Sequence, residues 1–234
     1  MSLPGLLVCY GGTFDPVHDG HLAVAVTVRD ALSAQVTLLP AHDPPHKGPT
    51  RANALQRAEM LELAVEGVPG LSVDRRELNR DGPSWTVDTL AELRAEFGSA
   101  APIAWLVGTD SLVQLASWHR WRDLLGLAHV IAVQRPGANV DAAALRSQAP
   151  DVFEEIAPRW QQLDALAEQA CGGFALVPMP AMRPESSTEL RRRIRDGEPW
   201  QDWVPPAVAA YIVRHELYKA PTVILPIPPA SDRT

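Results

Sequence analysis

Residues 11–21 read Gly-Gly-Thr-Phe-Asp-Pro-Val-His-Asp-Gly-His, directly after the apolar run Gly5–Tyr10. No other stretch constrains the fold as much. An apolar run suited to a buried strand meets a glycine-rich turn, and the turn meets the start of a helix. Glycines let backbone N–H groups approach an anion closely. The first N–H groups of a helix lack partners and carry partial positive charge. His18 and His21 stand three apart on one helical face, where both can donate to phosphate oxygens. Each part alone reads as an ordinary turn with incidental histidines. The contiguous string reads as a phosphate site with two imidazole donors.

Downstream, short apolar runs alternate with helical patterns. Gly5–Tyr10, Gln35–Leu39, Leu71–Val73, Ile103–Val107, His129–Val133 and Phe174–Val177 are predicted as buried strands. His21–Ala31, Ala54–Val65, Val87–Phe97 and Asp110–Ala116 are predicted as helices between them, with Thr86 capping the helix that begins near Val87. Glu189–Arg195 and Pro206–Leu217 are the predicted final helices. The polar stretch 141–173 is expected to pack outside as helices before the last strand. Such alternation implies an α/β fold, a Rossmann-like parallel sheet with helices on both faces. Ligands on these sheets bind at the carboxyl ends of the strands. One domain is expected over residues 1–219, followed by a proline-rich tail over 220–234 whose segment 222–226 could dock as a sheet edge.

With 234 residues, 46% of them hydrophobic, the chain can bury a substantial core. A net charge of −7 argues against a nonspecific nucleic-acid binder, but a small site in an acidic protein can still be locally basic. Cys9 and Cys171 are far apart, which gives neither a disulfide framework nor a cysteine zinc site. Neither a signal-peptide pattern nor an apolar stretch of about 18 residues is evident, so a cytoplasmic protein without membrane partners is expected.

Further clusters bear on the site. In Pro40-Ala-His-Asp-Pro-Pro-His-Lys-Gly48, Lys47 offers a point charge to a phosphate or is a surface lysine on a stiff turn. The Gly82-Pro83 turn before Thr86 leads to helix N–H groups that could receive a carboxylate. Gly108 lets a ligand approach a strand end, and Asp110 can accept from ribose hydroxyls. Trp118 offers a flat aromatic face or packs in the core, while Trp121 is taken as structural. Arg135 could bind phosphate or form a surface ion pair. Ser186 and Glu189 have capping-box spacing, and a capped helix start with extra hydroxyls and Arg191 is also a phosphate clamp. His18 and His21 could be a metal pair, but no suitably spaced carboxylate or third histidine joins them, so no protein metal site is expected.

The opening string resembles the GGTFDPxHxGH signature of the nicotinate-mononucleotide adenylyltransferases, within the wider HxGH-bearing nucleotidyltransferase superfamily. Residues 40–47 resemble that family's Pro-Asn-Asn-x-Pro-Pro-His-Lys/Arg run, with Ala41 and His42 in place of the asparagines. Residues 77–90 resemble its E-x-x-R-x-G-P-S-Y/W-T-x-D-T-L run, and residues 108–121 its G-x-D-x-L and W-x-x-W motifs. Residues 186–191 resemble part of I-S-S-T-x-I-R, with Glu185 and Leu190 replacing the isoleucines. The likeness spans about residues 5–218, and segment 138–172 carries no such motif.

The resemblance implies adenylyl transfer from ATP to nicotinate mononucleotide, a step of NAD biosynthesis, with Mg²⁺ accompanying ATP. It implies charge stabilisation by His18, His21, Lys47 and Arg191. It implies ATP contacts from Gly11, Gly12, Thr13 and Phe14, from Gly108 and Asp110, and from Ser187 and Thr188. Asp15 and Arg135 are implied on the mononucleotide side. There Trp118 would stack on the pyridine ring, and amides at Thr86 and His119 would hold its carboxylate. Alternatives are the same chemistry on nicotinamide mononucleotide or phosphopantetheine, and a nonenzymatic nucleotide sensor.

Overall fold

In the computed structural model, residues 5–44, 50–134, 141–181 and 183–220 are described. The apolar runs form β1 (Leu7–Gly12), β2 (Gln35–Pro40), β3 (Leu71–Val73), β4 (Ile103–Gly108), β5 (His129–Gln134) and β6 (Phe174–Pro178). They make one sheet in the order β3-β2-β1-β4-β5-β6, and every pairing is parallel. The chain runs outward from β1 to β3, then returns to lay β4 on the other flank of β1. That reversal opens a crevice at the carboxyl ends of β1 and β4.

The connecting helices are α1 (Asp19–Leu32), α2 (Ala54–Val65), α3 (Thr86–Phe97), α4 (Thr109–Val113), α5 (Leu124–Leu127), α6 (Ala142–Gln148), α7 (Pro150–Ile156), α8 (Ser187–Asp196) and α9 (Pro206–Arg214). Strand side chains alternate between two buried clusters. Val8, Leu106 and Ile131 pack with Val28 of α1, Leu61 of α2, Leu190 of α8 and Val208 of α9. Cys9, Trp105 and Val130 pack with Leu90 of α3, Leu112 of α4, Leu125 of α5, Leu145 of α6 and Val152 of α7. Both sheet faces are dry, which is why the strands read as continuous apolar runs. No helix among the described residues is long and apolar enough to cross a membrane.

Several boundaries differ from the sequence reading for identifiable reasons. β1 continues through Gly11 and Gly12, which pair with Leu39 and Pro40. These glycines are therefore strand residues, not a turn. A Cβ on Gly11 would lie 2.2 Å from the Trp105 ring, so close contact with that ring, not a positive φ, demands glycine there. The turn comes at Phe14, whose φ is +48°. Trp85, not Thr86, is the N-cap of α3, and Thr86 is its first helical residue. Asp110–Ala116 divides into α4 and a 3-10 turn at Leu115–Ser117. Stretch 141–173 is helical as expected, but it sends Leu145, Val152 and Ile156 into a core. The final helix stops at Arg214, where Glu216 and Tyr218 take φ of +52° and +65°. Segment 222–226 lies outside the described residues.

Candidate active site

At the end of β1 an aromatic stack orients the two histidines. The Tyr10 ring meets Phe14 edge-on, with centroids 5.5 Å apart. Phe14 meets His21 edge-on at 5.0 Å, and His21 stacks on His18 at 3.7 Å. Phe14 is a non-glycine residue in the left-handed region, a conformation that costs of order 1–3 kcal/mol and persists where packing over-determines it. Phe14 is 2% exposed, so its part in the site is to support the two histidines from below.

α1 begins at Asp19, two residues earlier than predicted, with His18 as its N-cap. Both imidazoles therefore sit at the positive end of α1. The His18 N–H donates to Nδ1 of His21 at 3.3 Å. A ring nitrogen that accepts is unprotonated, so neutral His21 carries its proton on Nε2, the form that donates to an anion. Gly20 packs tightly beneath this pair, since a Cβ there would lie 3.0 Å from His18 Nδ1.

Under the loop lies Arg57, with 0% exposure. Its Nη1 donates to the Thr13 carbonyl at 2.6 Å, and its Nη2 to the Ala41 and His42 carbonyls at 2.6 and 3.1 Å. One guanidinium thus ties the loops after β1 and β2 together, and burial pulls its pKa down. The sequence reading missed this residue. Its signal was an arginine on the buried face of α2, in register with Met60, Leu61 and Ala64.

Asp15 is 4% exposed. Its carboxylate accepts from the N–H groups of Arg51 and Ala52 at 2.8 and 3.1 Å and from the Tyr218 hydroxyl at 2.8 Å. It is a framework group, which corrects its expected place against the mononucleotide. Tyr218 was not among the expected site residues, although Leu217-Tyr218 closes a stretch, Val204–Tyr218, that resembles the family's C-terminal pattern.

α8 docks its N-terminus on the same loop. Ser186 caps it by accepting from the Glu189 N–H at 3.2 Å. The Glu189 side chain does not complete a capping box, because Arg192 and Arg193 hold its carboxylate. The Ser187 hydroxyl donates to the Pro16 carbonyl at 2.9 Å, so its proton is committed and its backbone N–H is what remains for a phosphate. Arg191 Nη1 donates to the Asp15 carbonyl at 2.5 Å and Nη2 to the Thr188 hydroxyl at 3.4 Å. Two helix starts, two imidazoles and one guanidinium therefore gather at the end of β1.

Across the crevice, Gly108 is exposed with nothing within 4 Å of a would-be Cβ, and Asp110 is exposed in the first turn of α4. The Trp85 ring lies 4.8 Å from that of His119. This contact brings the start of α3, with Thr86, beside Trp118 and His119. Trp121 is buried in the second core, as its structural reading expected. Within the 77–90 motif, Glu77, Arg80, Ser84 and Thr89 are framework. Buried Glu77 accepts from the Thr89 hydroxyl at 2.7 Å, and Arg80 donates to Thr89 at 2.9 Å. Ser84 accepts from the His42 N–H at 2.9 Å, fastening the loop after β2 to the loop before α3. Lys47 and Arg135 lie outside the described residues. Among the described residues no group of three or more His, Cys, Asp or Glu is placed to hold a metal ion.

Helix starts at the switch point of a parallel sheet suit the phosphates of a nucleotide, and the family matches make the class a nucleotidyltransferase. Residues 9–193 match the family described as cytidylyltransferase-like. Probable nicotinate-nucleotide adenylyltransferases of Stenotrophomonas maltophilia (strain K279a) and Cronobacter sakazakii (strain ATCC BAA-894) are 45% and 42% identical to this chain. Each alignment covers 93% of this chain, with 98% and 97% of the respective relative. The chain belongs to the nicotinate-nucleotide adenylyltransferase family. The solved Plasmodium falciparum nicotinic acid mononucleotide adenylyltransferase complexed with NaAD shares the fold, with a TM-score of 0.68 at 15% identity over 92% of this chain and 97% of that one.

Proposed function

We propose that this chain transfers the adenylyl group of ATP to nicotinate mononucleotide, giving deamido-NAD and pyrophosphate. A phosphate oxygen of the mononucleotide attacks the α-phosphorus of ATP. The bond from that phosphorus to the bridging oxygen breaks, and pyrophosphate leaves with the electron pair. The observation that carries this reading is the convergence of His18, His21, Thr188 and Arg191 at the end of β1, facing the aromatic patch across the crevice. Catalysis is then positioning and electrostatic stabilisation, with no covalent intermediate. Cys9 is no nucleophile for this step, since burial pushes its thiol up to about 12.

In this reading the His21 Nε2–H and the Arg191 guanidinium face the phosphates. The N–H groups at the start of α8 add to them, and Lys47 joins from the loop after β2. The site offers imidazole, hydroxyl and guanidinium donors, which fit phosphate oxygens and not a hard cation, so Mg²⁺ would be held by ATP oxygens and water and supply charge neutralisation. Gly108 and Asp110 would face the nucleotide, and Arg135 the mononucleotide phosphate. Trp118 would carry the pyridine ring, with the Thr86 and His119 amides donating to its carboxylate. As the first helical residue of α3, Thr86 has an N–H without an intrahelical acceptor.

A carboxamide would set its own NH₂ against one of those donors. An unpaired or clashing donor costs about 1–3 kcal/mol, and with two donors compounding the acid should be preferred at least about 10²-fold in kcat/KM. Pyrophosphate release with ATP and nicotinate mononucleotide, nicotinamide mononucleotide or phosphopantetheine in parallel tests the proposal. Comparable kcat/KM for the two mononucleotides rejects the acid-specific site, and no release with either rejects the reaction.

A further inference from the structure

Tyr218 lies four residues beyond α9, yet it reaches the centre of the site. Its φ of +65° is one a non-glycine residue holds only where packing over-determines it. Burial and the neighbouring Asp15 charge push its phenol well above the ordinary range, so it stays a donor. The hydroxyl donates to Oδ1 of Asp15 at 2.8 Å. Oδ2 of the same carboxylate lies 3.9 Å from Arg191 Nη1, too far for a hydrogen bond. That nitrogen donates instead to the Asp15 carbonyl, 2.5 Å away.

We infer that Tyr218 is a positioning residue for the ATP-phosphate clamp: by donating to Oδ1 of Asp15 it weakens the pull of that carboxylate on Arg191, which stays on the Asp15 carbonyl and the Thr188 hydroxyl with its remaining donors available to ATP. Arginine carries five N–H donors, and its strongest partner is a carboxylate that it can grip with two of them. Without the hydroxyl, Oδ1 keeps the Ala52 N–H and Oδ2 the Arg51 N–H, so the carboxylate holds more uncompensated charge and pulls harder on the nearest cation. Here Arg191 stands one short movement away. Closing that gap would turn the guanidinium inward and make it compete with the phosphates. Tyr218 touches neither substrate in this picture and acts only through Asp15 and Arg191. The inference rests on the proposed role of Arg191 toward ATP.

The test is steady-state kinetics and thermal melting of the full chain with Tyr218→Phe, Arg191→Ala and both together. Tyr218→Phe should raise KM for ATP about 5–10-fold, the factor that one hydrogen bond of ordinary net strength carries. Its kcat and its KM for nicotinate mononucleotide should stay within about twofold. In the Arg191→Ala background the same change should add nothing. If KM for ATP is unmoved in Tyr218→Phe while Arg191→Ala raises it, the inference falls and the clamp stands. If Arg191→Ala itself leaves KM for ATP unmoved, the reading beneath it falls. A rise in KM for both substrates with a lower Tm marks a merely structural tyrosine and overturns the inference. Should Tyr218→Phe not fold alone, it is read in the Asp15→Asn background, which removes the charge that draws Arg191. There Tyr218→Phe should leave KM for ATP where Asp15→Asn sets it, and a further fivefold rise overturns the inference.

Discussion

Replacing Arg57 by methionine isolates what the buried guanidinium does beneath the phosphate loop. Methionine keeps the length and apolar stem of the side chain and removes its three hydrogen bonds to the Thr13, Ala41 and His42 carbonyls. Those carbonyls are not equivalent. Ala41 is buried, so its acceptor is left unpaired at about 1–3 kcal/mol. Thr13 is half-buried and His42 exposed, so water can replace those bonds, and each loss is nearer the ordinary net value of about 0.5–1.5 kcal/mol. The sum is about 2–6 kcal/mol. Relief from desolvating a guanidinium, already visible in its lowered pKa, offsets part of it, whereas the loss of the nearby cation works against Asp15. The expected net destabilisation is about 2–4 kcal/mol, or roughly 1–2 M in a urea midpoint for an m-value near 2 kcal/mol/M. Arg57→Lys should recover less than half, because a single ammonium cannot span three carbonyls on two loops. Urea unfolding followed by tryptophan fluorescence gives the midpoints. A shift below about 0.3 M for Arg57→Met at unchanged m would refute the reasoning.

His21→Ala should lower kcat by about 10²-fold or more with little change in ATP affinity by calorimetry, and a folded variant with near-normal kcat would dismiss its role at the transferred phosphate. Trp118→Ala should raise KM for the mononucleotide and spare that for ATP, so equal effects on both would remove it from the pyridine platform. Glu185 is buried, with Oε1 paired to Arg183 at 2.9 Å and Oε2 lacking a hydrogen-bond partner. Loss of that pair to a half-exposed arginine offsets part of the roughly 1–3 kcal/mol relieved, so Glu185→Ile should raise Tm by only a degree or two, and a lower Tm would show that the pair compensates the carboxylate. Burial holds the His129 pKa below its ordinary value, so the fold favours neutral imidazole. Stability is then complete above the unfolded value of about 6.5 and falls as pH drops through the folded one, because the unfolded chain binds the extra proton. Urea stability measured from pH 7.5 down to 5 should decline less steeply in His129→Gln, and identical slopes would count against the assignment.

The sheet was legible because strands buried on both faces must be apolar at every position, and such runs stand out in any order. β3 and α2 agree with the sequence reading residue for residue. What failed was the cause behind particular residues. A glycine required by a ring looks the same in sequence as one required by a turn, and the ring above Gly11 belongs to Trp105 on another strand. The resemblance implied a ligand contact for Asp15, but the partners of its carboxylate are backbone at 51–52 and a tyrosine, all far along the chain. Ser84 and Thr86 both suit a helix cap, yet Trp85 took the position, with its ring against His119. Arg57 was not singled out at all, although it stands at helical spacing from Met60, Leu61 and Ala64 on the buried face of α2.

The bond between Asp15 and Tyr218 joins residues 203 apart. On a ribosome adding about 5–20 residues per second, the aspartate waits about 10–40 seconds for its tyrosine to be made. During that interval β1, β2 and β3 can pair, and α1 can cover them, while the loop that follows β1 still lacks its last donor. The order of synthesis thus places completion of the phosphate loop after the whole sheet and α9 have been made. The loop after the first strand of the sheet takes its final geometry only once the last helix is in place.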